Sequence, residues 1–175
     1  MMNKSFVFLL LTITGCQSAV FKTSSTNYPD LKGYFSKEIK RLEKERPKVQ
    51  KSVHFNKKNE SKTSTAIKWQ EELDPFMISD INKPAFKGLY RFSMMEGEET
   101  YTATEKQLKT REIRILKSEN GAIKRITIQN YSNNNLFNSS EYLEYCPDSL
   151  YQIVKKQEVV ILGSNHFMIV GKFKK

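Results

Sequence analysis

The residue with the clearest chemical potential in this sequence is Cys16, because its thiol directly follows a short apolar segment near the amino terminus. Lys4 precedes that segment, which comprises nine residues, 6–14 (FVFLLLTIT). A helix needs roughly 20 apolar residues to cross a bilayer, so this segment is too short to be an anchor helix. A basic start, a short apolar core and a small residue, here Gly15, are typical of a secretory signal peptide. The sequence therefore predicts an exported protein with a signal peptide over residues 1–15.

The tetrapeptide Ile13-Thr14-Gly15-Cys16 resembles the lipobox of bacterial lipoproteins. In that family the cysteine thiol is acylated, the peptide is cleaved before the cysteine, and the new amino terminus is acylated as well. The resemblance implies lipid attachment at Cys16 and a membrane as partner through the acyl chains. Each buried methylene contributes about 0.8 kcal/mol, so two or three chains together hold a protein on a membrane. The alternative is an ordinary secretory signal in which Cys16 is incidental.

The residue after the cysteine indicates in which membrane such a lipoprotein is retained. In similar lipoproteins of two-membrane bacteria, an aspartate at that position favours retention in the inner membrane, and here the position is Gln17. The resemblance therefore implies an outer-membrane lipoprotein that faces the periplasm or the cell surface. Export also removes nucleic acid as a partner, which so basic a chain would otherwise suggest.

The charge of the chain is concentrated near the predicted anchor. Removal of residues 1–15 leaves 160 residues, enough for one domain with a substantial core. The full chain has a net charge of +10, and eleven basic residues lie in the stretch 32–62. Anionic lipid head groups attract such a stretch, at about 1 kcal/mol per Lys or Arg, and Lys40, Arg41 and Lys44 are its candidate contact residues. The alternative is a solvated helix face with i,i+4 ion pairs.

Catalytic chemistry is not indicated. Acylation of Cys16 leaves Cys146 as the other cysteine of the sequence, so no intrachain disulfide is expected. Cys146 precedes Pro147 at the end of a strand-like segment, which favours an inert thiol over a nucleophile. Neither His54 nor His166 lies in a catalytic or metal-binding motif. We therefore expect no catalytic residues, no metal site, no cofactor and no enzymatic activity.

The amino-terminal half of the mature chain has four predicted parts before its second helix. Residues 16–29 are polar and aperiodic, which predicts a lipidated tether. Apolar residues at helical spacing predict a helix over 30–45. Alternating residues predict a short strand from Val49 to Phe55, followed by a polar loop over 56–64.

A second helix is predicted from near Ser64 or Thr65 to near Asp80. We expect Pro75 to disturb it, because proline lacks the backbone donor and clashes with the preceding turn. Trp69 is the single tryptophan of the chain and is expected to lock this helix onto the sheet.

The segment 69–84 (WQEELDPFMISDINKP) resembles a group of small uncharacterised bacterial lipoproteins that share a Trp-rich helix, an Asp-Ile-Asn-Lys-Pro turn and a following β region. The resemblance extends over about residues 65–175 and implies class and location, with no established activity. Asp80, Asn82 and Lys83 in the turn are candidate contact residues for an envelope partner.

From residue 89 onward, short alternating or apolar runs between brief turns predict an antiparallel meander. Asn120-Gly121 is a strong signal for a two-residue type I′ turn, which places Ile115 opposite Ile126. A loop at Ser164-Asn165 would close the last hairpin and make both of its faces apolar.

In that last hairpin, the predicted loop pairs Val160 with Ile169 and Ile161 with Met168. A strand pair that is apolar on both faces must be covered on both sides. The helices would cover one face, and a curled continuation of the sheet, a partner protein or lipid would cover the other.

Together these patterns predict one α+β domain over residues 30–175. N-terminal helices within 30–86 are expected to pack on a curved antiparallel β-meander of about six to eight strands over 87–175.

The leading functional hypothesis is a membrane-anchored envelope lipoprotein with a non-enzymatic binding or structural role and an unknown envelope protein as partner. The alternative is a curved β-sheet cup for a small hydrophobic ligand or lipid, using Tyr142, Tyr145 and Tyr151. An envelope hydrolase is the least favoured alternative, because it would need two carboxylates that converge from separate strands.

Overall fold

The computed structural model describes residues 28–161 and 163–174. The predicted signal peptide, Cys16 and most of the predicted tether lie outside the described residues. In chain order the elements are helix α1 (Leu31–Glu45), strands β1 (Val49–Phe55) and β2 (Lys58–Ser64), helix α2 (Trp69–Ile78), a 3-10 turn (Pro84–Phe86), and strands β3 (Tyr90–Met95), β4 (Glu98–Ala103), β5 (Thr110–Lys117), β6 (Ile123–Asn133), β7 (Phe137–Cys146), β8 (Leu150–Val159) and β9 (Gly163–Phe173).

All of these strands belong to one antiparallel sheet in the order β2-β1-β9-β8-β7-β6-β5-β4-β3. Strands β3 to β9 form a meander, and the β1–β2 hairpin joins it by pairing β1 with β9. The sheet is open, and the α+β class agrees with the prediction. The described sheet has nine strands, more than the six to eight predicted, because β1 and β2 add two strands to the seven of the meander. The difference arises in part because the predicted polar loop over 56–64 contains β2, an exposed, lysine-bearing edge strand that pairs through its backbone.

The first predicted helix is confirmed. α1 begins after Asp30, whose side chain accepts a hydrogen bond from the backbone N–H of Gly33 at 2.7 Å. It ends at Arg46, which has a positive φ of 46° and precedes Pro47. In the part of the chain that the structure describes, no helix is long and apolar enough to cross a membrane.

The second helix starts later than predicted, at Trp69, because Ser64 is the last residue of β2. Pro75 lies inside α2, and the helix ends three residues beyond it at Ile78. The helix therefore continues through the proline and ends within two residues of its predicted end near Asp80.

Folded structure also begins within the predicted tether. The ring of Tyr28 packs edge-on against Tyr90 and Tyr101, with centroid distances of 5.6 Å and 6.4 Å. Its hydroxyl accepts a hydrogen bond from the backbone N–H of Tyr90 at 3.1 Å. The segment between Cys16 and the domain is therefore shorter than the predicted tether of residues 16–29.

Both helices pack on the same face of the sheet and enclose the core there. Phe35 of α1 and Phe76 of α2 contact Tyr145 of β7 at centroid distances of 5.3 Å and 6.1 Å. Trp69 is 2% exposed and stacks on Phe173 of β9 at 5.6 Å. The expectation that Trp69 locks its helix onto the sheet is confirmed.

The register predicted for the β5–β6 hairpin is confirmed, and its turn type is wrong. Ile115 pairs with Ile126 as predicted. The turn is longer than two residues, because Ser118 N–H donates to the carbonyl of Ala122 at 2.8 Å and Gly121 supplies a positive φ of 83°. A register shift near the end of β5 absorbs the extra length.

The register predicted for the last hairpin is wrong. β8 continues to Val159, which pairs with Gly163, so Val160 and Ile161 lie in the turn instead of pairing along β9. Leu162, which also belonged to the predicted pairing, lies outside the described residues. Gly163 has a φ of 81°, the backbone conformation that favours this turn. Because both faces of the hairpin are apolar, the hydrophobic pattern could not select one register.

Close packing between β8 and β9 gives a test of the core. The ring of Tyr151 fills the space that a β-carbon on Gly171 would need. We expect Gly171→Ala to lower the free energy of unfolding by about 1–3 kcal/mol, measured by urea denaturation. Gln152→Ala, on the other face of β8, is the control and should change it by less than about 0.5 kcal/mol.

A double-mutant cycle shows whether that loss comes from the contact itself. Tyr151→Leu removes the ring that clashes with the new methyl group. The decreases in the free energy of unfolding caused by Tyr151→Leu and by Gly171→Ala should therefore not add in the double variant. Strict additivity of the two losses would contradict this account of the β8–β9 packing.

Candidate functional site

The predicted contact turn contains one buried and two exposed residues. Asp80 is 5% exposed, and its Oδ1 accepts a hydrogen bond from the backbone N–H of Leu31 at 3.1 Å. A carboxylate at this position stabilises the amino terminus of α1. Asn82 and Lys83 are exposed, and Lys83 Nζ lies 5.6 Å from the ring centroid of Phe86. Any contact surface of this turn is therefore formed by Asn82 and Lys83, because Asp80 has a structural role.

Arg41, a predicted head-group contact, is engaged inside the domain. Its guanidinium lies 2.6 Å from Glu38, 2.6 Å from Glu45 and 2.8 Å from Asp148 in the β7–β8 turn. The hydrogen bond to Glu38 raises the pKa of Arg41. Glu38 also accepts a hydrogen bond from the Tyr145 hydroxyl, and burial followed by that bond raises the pKa of Tyr145. Arg41 thus joins α1 to the sheet.

Lys40 and Lys44, the other two predicted basic contacts, are exposed on the second half of α1. The predicted turn contacts the other end of that helix through Asp80 and Leu31. Nine residues separate Leu31 from Lys40, about 14 Å along a helix. The structure therefore does not bring the two predicted contact regions together.

Sequence reasoning missed a buried polar cluster between α2 and the sheet. Asn130 is 4% exposed, and its Nδ2 donates to Ser79 Oγ and to Glu141 Oε2, both at 2.8 Å. These bonds join the end of α2 to β6 and β7. The signal was present in the sequence, because Asn130 follows Ile126 and Ile128 at the same inward-facing alternation of β6.

The face of the sheet opposite the helices carries its own apolar row. Tyr142, Val154 and Met168 are cross-strand neighbours on β7, β8 and β9, and all three are half-buried. Cys146 is a half-buried thiol on the same face. Burial, and next the charge of Glu144, raises the pKa of both Tyr142 and Cys146. The Tyr142 hydroxyl therefore stays protonated, and the Cys146 thiolate is disfavoured.

A shallow concavity of about 450 Å³ opens on this uncovered face. Tyr142 and Val154 contribute to its lining, together with Tyr131, Arg111 and Lys156. The guanidinium carbon of Arg111 lies 5.5 Å from the ring centroid of Tyr131, a cation–π distance. The other lining residues are polar and include the carboxylate of Glu141, so the concavity suits a small molecule that has an apolar body and a polar or charged group.

The three tyrosines predicted to line a cup do not lie together. Tyr145 and Tyr151 are fully buried on the helix-covered face, whereas Tyr142 lies on the uncovered face. The physical reason is alternation, because residues 142 and 145 are an odd number of positions apart on one strand. The predicted set of cup residues is therefore wrong.

Within residues 28–161 and 163–174, no group of three or more His, Cys, Asp or Glu side chains is placed to hold a metal ion. Comparison of the chain with protein-family models, with curated proteins and with solved structures found no match. Function therefore has to be argued from the residues of this chain.

The different environments of the basic residues on α1 lead to a prediction about stability. Arg41→Gln leaves the nearly buried Glu38 carboxylate without its cation, so we expect the free energy of unfolding to fall by about 1–3 kcal/mol. The double variant Lys40→Gln/Lys44→Gln should change it by less than about 0.5 kcal/mol, because both side chains are exposed. Urea denaturation followed by circular dichroism measures both changes. Equal losses in the two variants would contradict the structural role of Arg41.

Proposed function

We propose that this chain is a lipoprotein of the bacterial cell envelope, held at the outer membrane by acyl chains on Cys16. In this proposal its folded domain has a binding or structural role towards an envelope component and catalyses no reaction. The observation that carries the anchor is the tetrapeptide Ile13-Thr14-Gly15-Cys16 behind a nine-residue apolar segment. That segment is too short to span a bilayer, which favours cleavage and lipid anchoring over a membrane-spanning helix.

The non-enzymatic role is supported by what the buried carboxylates contact. Catalytic sites are typically built from buried, perturbed acidic groups in a cleft. Here Glu38 binds Arg41, Glu72 binds Lys51, and Asp80 caps α1. These carboxylates hold helices to each other and to the sheet, which leaves recognition to the exposed surfaces.

The anchor is tested by replacing the acylated sulfur. We expect Cys16→Ala to move the protein from the detergent-soluble membrane fraction to the periplasmic extract, because the acyl chains have no other attachment point in this proposal. Cys146→Ala is the matched control and should leave the protein in the membrane fraction. Fractionation followed by immunoblotting measures both.

Three outcomes would contradict the proposal. Cys16→Ala protein that stays with membranes at high salt would argue against the acyl anchor. Intact-mass analysis that finds residue 16 unmodified would do the same. Turnover of an envelope substrate by the purified domain would contradict the non-enzymatic role.

A second candidate function, binding of a small amphiphile, is supported by the concavity on the uncovered face. Its lining combines apolar side chains with two cations, Arg111 and Lys156, and one carboxylate, Glu141, and its volume is that of a small-molecule site. In this reading the face that the helices leave open is a ligand surface, and no partner protein is required.

Native mass spectrometry of residues 28–175 tests this second function. A lipid-like mass retained by the domain supports it, and Val154→Glu should abolish retention because it places a charge on the apolar floor. Thr102→Glu, on the same face at β4, is the control and should not affect retention. A domain that never retains a ligand would favour the first function.

A further inference from the structure

Two hairpins, β6–β7 and β8–β9, extend beyond the rest of the sheet at one end. β1 stops at Phe55, which pairs with Phe167, and Phe167 pairs in turn with Lys155 of β8. β8 continues for four more residues to Val159, which pairs with Phe137 of β7. At about 3.3 Å per residue, the four strands project about 13 Å beyond β1 and β2. We define this projection as residues 131–140, 156–161 and 163–166.

The projection has polar strands and an apolar tip. Its strand residues are mainly Ser, Asn, Gln and charged residues. At the tip, Leu136 is 72% exposed, Val160 is 78% exposed and Ile161 is 92% exposed. The backbone N–H of Val160 donates to the carbonyl of Leu136 at 3.2 Å, so the two turns lie side by side. Large apolar side chains that cluster at the most protruding point of a domain indicate an interaction surface.

The charges set back from the tip are mainly basic. Around the base and sides of the projection, the described cations include Lys57, Lys58, Lys106, Lys109, Arg111, Lys155 and Lys156. The anions at this end are Glu105, Glu141 and Glu158. Apolar side chains in front of a basic collar complement a bilayer, which offers anionic head groups outside an apolar interior.

Tyr28, the first described residue, also lies at this end of the sheet. Tyr28 packs on Tyr90, which pairs with Ala103 at the end of β4 that lies on the same side of the sheet as the projection. Twelve residues separate Tyr28 from Cys16, and a chain of that length spans at most about 40 Å. An anchor at Cys16 would therefore hold this end of the sheet within about 40 Å of the anchoring membrane.

We propose that the tip of the projection, Leu136, Val160 and Ile161, inserts into the bilayer that holds the acyl anchor. The surrounding lysines then lie against anionic head groups. The choice of membrane rests on the proposed anchor, and the insertion itself rests on the exposed tip and its basic collar. Insertion gives the domain a second, weaker attachment point that does not hold the chain through fractionation without the acyl chains. It also directs the opposite end of the sheet, with Met95, away from the membrane.

A tryptophan reporter locates the tip directly. The full chain carrying Ile161→Trp is reconstituted into vesicles of phosphatidylethanolamine and phosphatidylglycerol with brominated acyl chains, which quench tryptophan on contact. We expect the fluorescence emission of this tryptophan to shift to shorter wavelength and to lose intensity. Met95 lies at the opposite end of the sheet and is 66% exposed. Met95→Trp is therefore the matched control, and its fluorescence should not be quenched. Native Trp69 is buried and contributes equally to both variants.

A second pair of variants measures the contribution of the tip to binding. Ile161→Asp should lower the partition coefficient of the chain onto the same vesicles by about tenfold or more relative to Met95→Asp. The reason is that transfer of one isoleucine side chain from water into the bilayer favours binding by at least that factor. Both residues are exposed, so neither variant removes a core contact.

The outcomes separate insertion of the tip from the anchor. An unquenched tryptophan at 161 in vesicle-bound chain, or equal partitioning of the two aspartate variants, would overturn insertion. Intact-mass analysis of the same sample reports acylation of Cys16 independently. Quenching at 161 in chain that is not acylated would support insertion and would contradict the anchor.

Discussion

The structure depends on the burial of one face of a wide sheet beneath two short helices. Nine strands at about 4.8 Å spacing make a sheet about 38 Å wide, whereas the 15-residue α1 is about 22 Å long. Side chains alternate along every strand, so each core residue is followed by one on the face opposite the helices. The surfaces available for recognition are therefore this uncovered face, the edges and ends of the sheet, and the outer sides of the helices with the turn after α2.

Local patterns predicted the elements that local chemistry determines. The apolar stripe predicted α1, and alternation fixed the register of Ile115 with Ile126. β2 was missed because Lys58–Ser64 has no apolar alternation, and an edge strand can form through backbone hydrogen bonds alone. The β8–β9 register was missed because both faces of that hairpin are apolar. The projection depends on this register, so the sequence pattern did not reveal it.

The candidate contact residues show that the charge of a residue does not predict whether its side chain is exposed or bound within the fold. Asp80, Arg41 and Lys44 are all charged, yet Asp80 caps a helix and Arg41 binds three carboxylates, whereas Lys44 is exposed. Whether a charge is engaged by the fold depends on partners that lie far away in sequence, such as Asp148 for Arg41. The prediction at Cys16 is of a different kind, because it rests on adjacent residues of the sequence and not on tertiary contacts.

Insertion of the tip also constrains the two candidate functions of the uncovered face. With the tip in a bilayer, the strands run away from the membrane, and both faces of the sheet stand upright instead of lying on lipid. The half-buried row of Tyr142, Val154 and Met168 then cannot be explained as a bilayer contact. This row is then available to the partner protein or amphiphile proposed above. Arg111 and Lys156 lie near the projecting end, so an anionic group bound between them would sit close to the head groups.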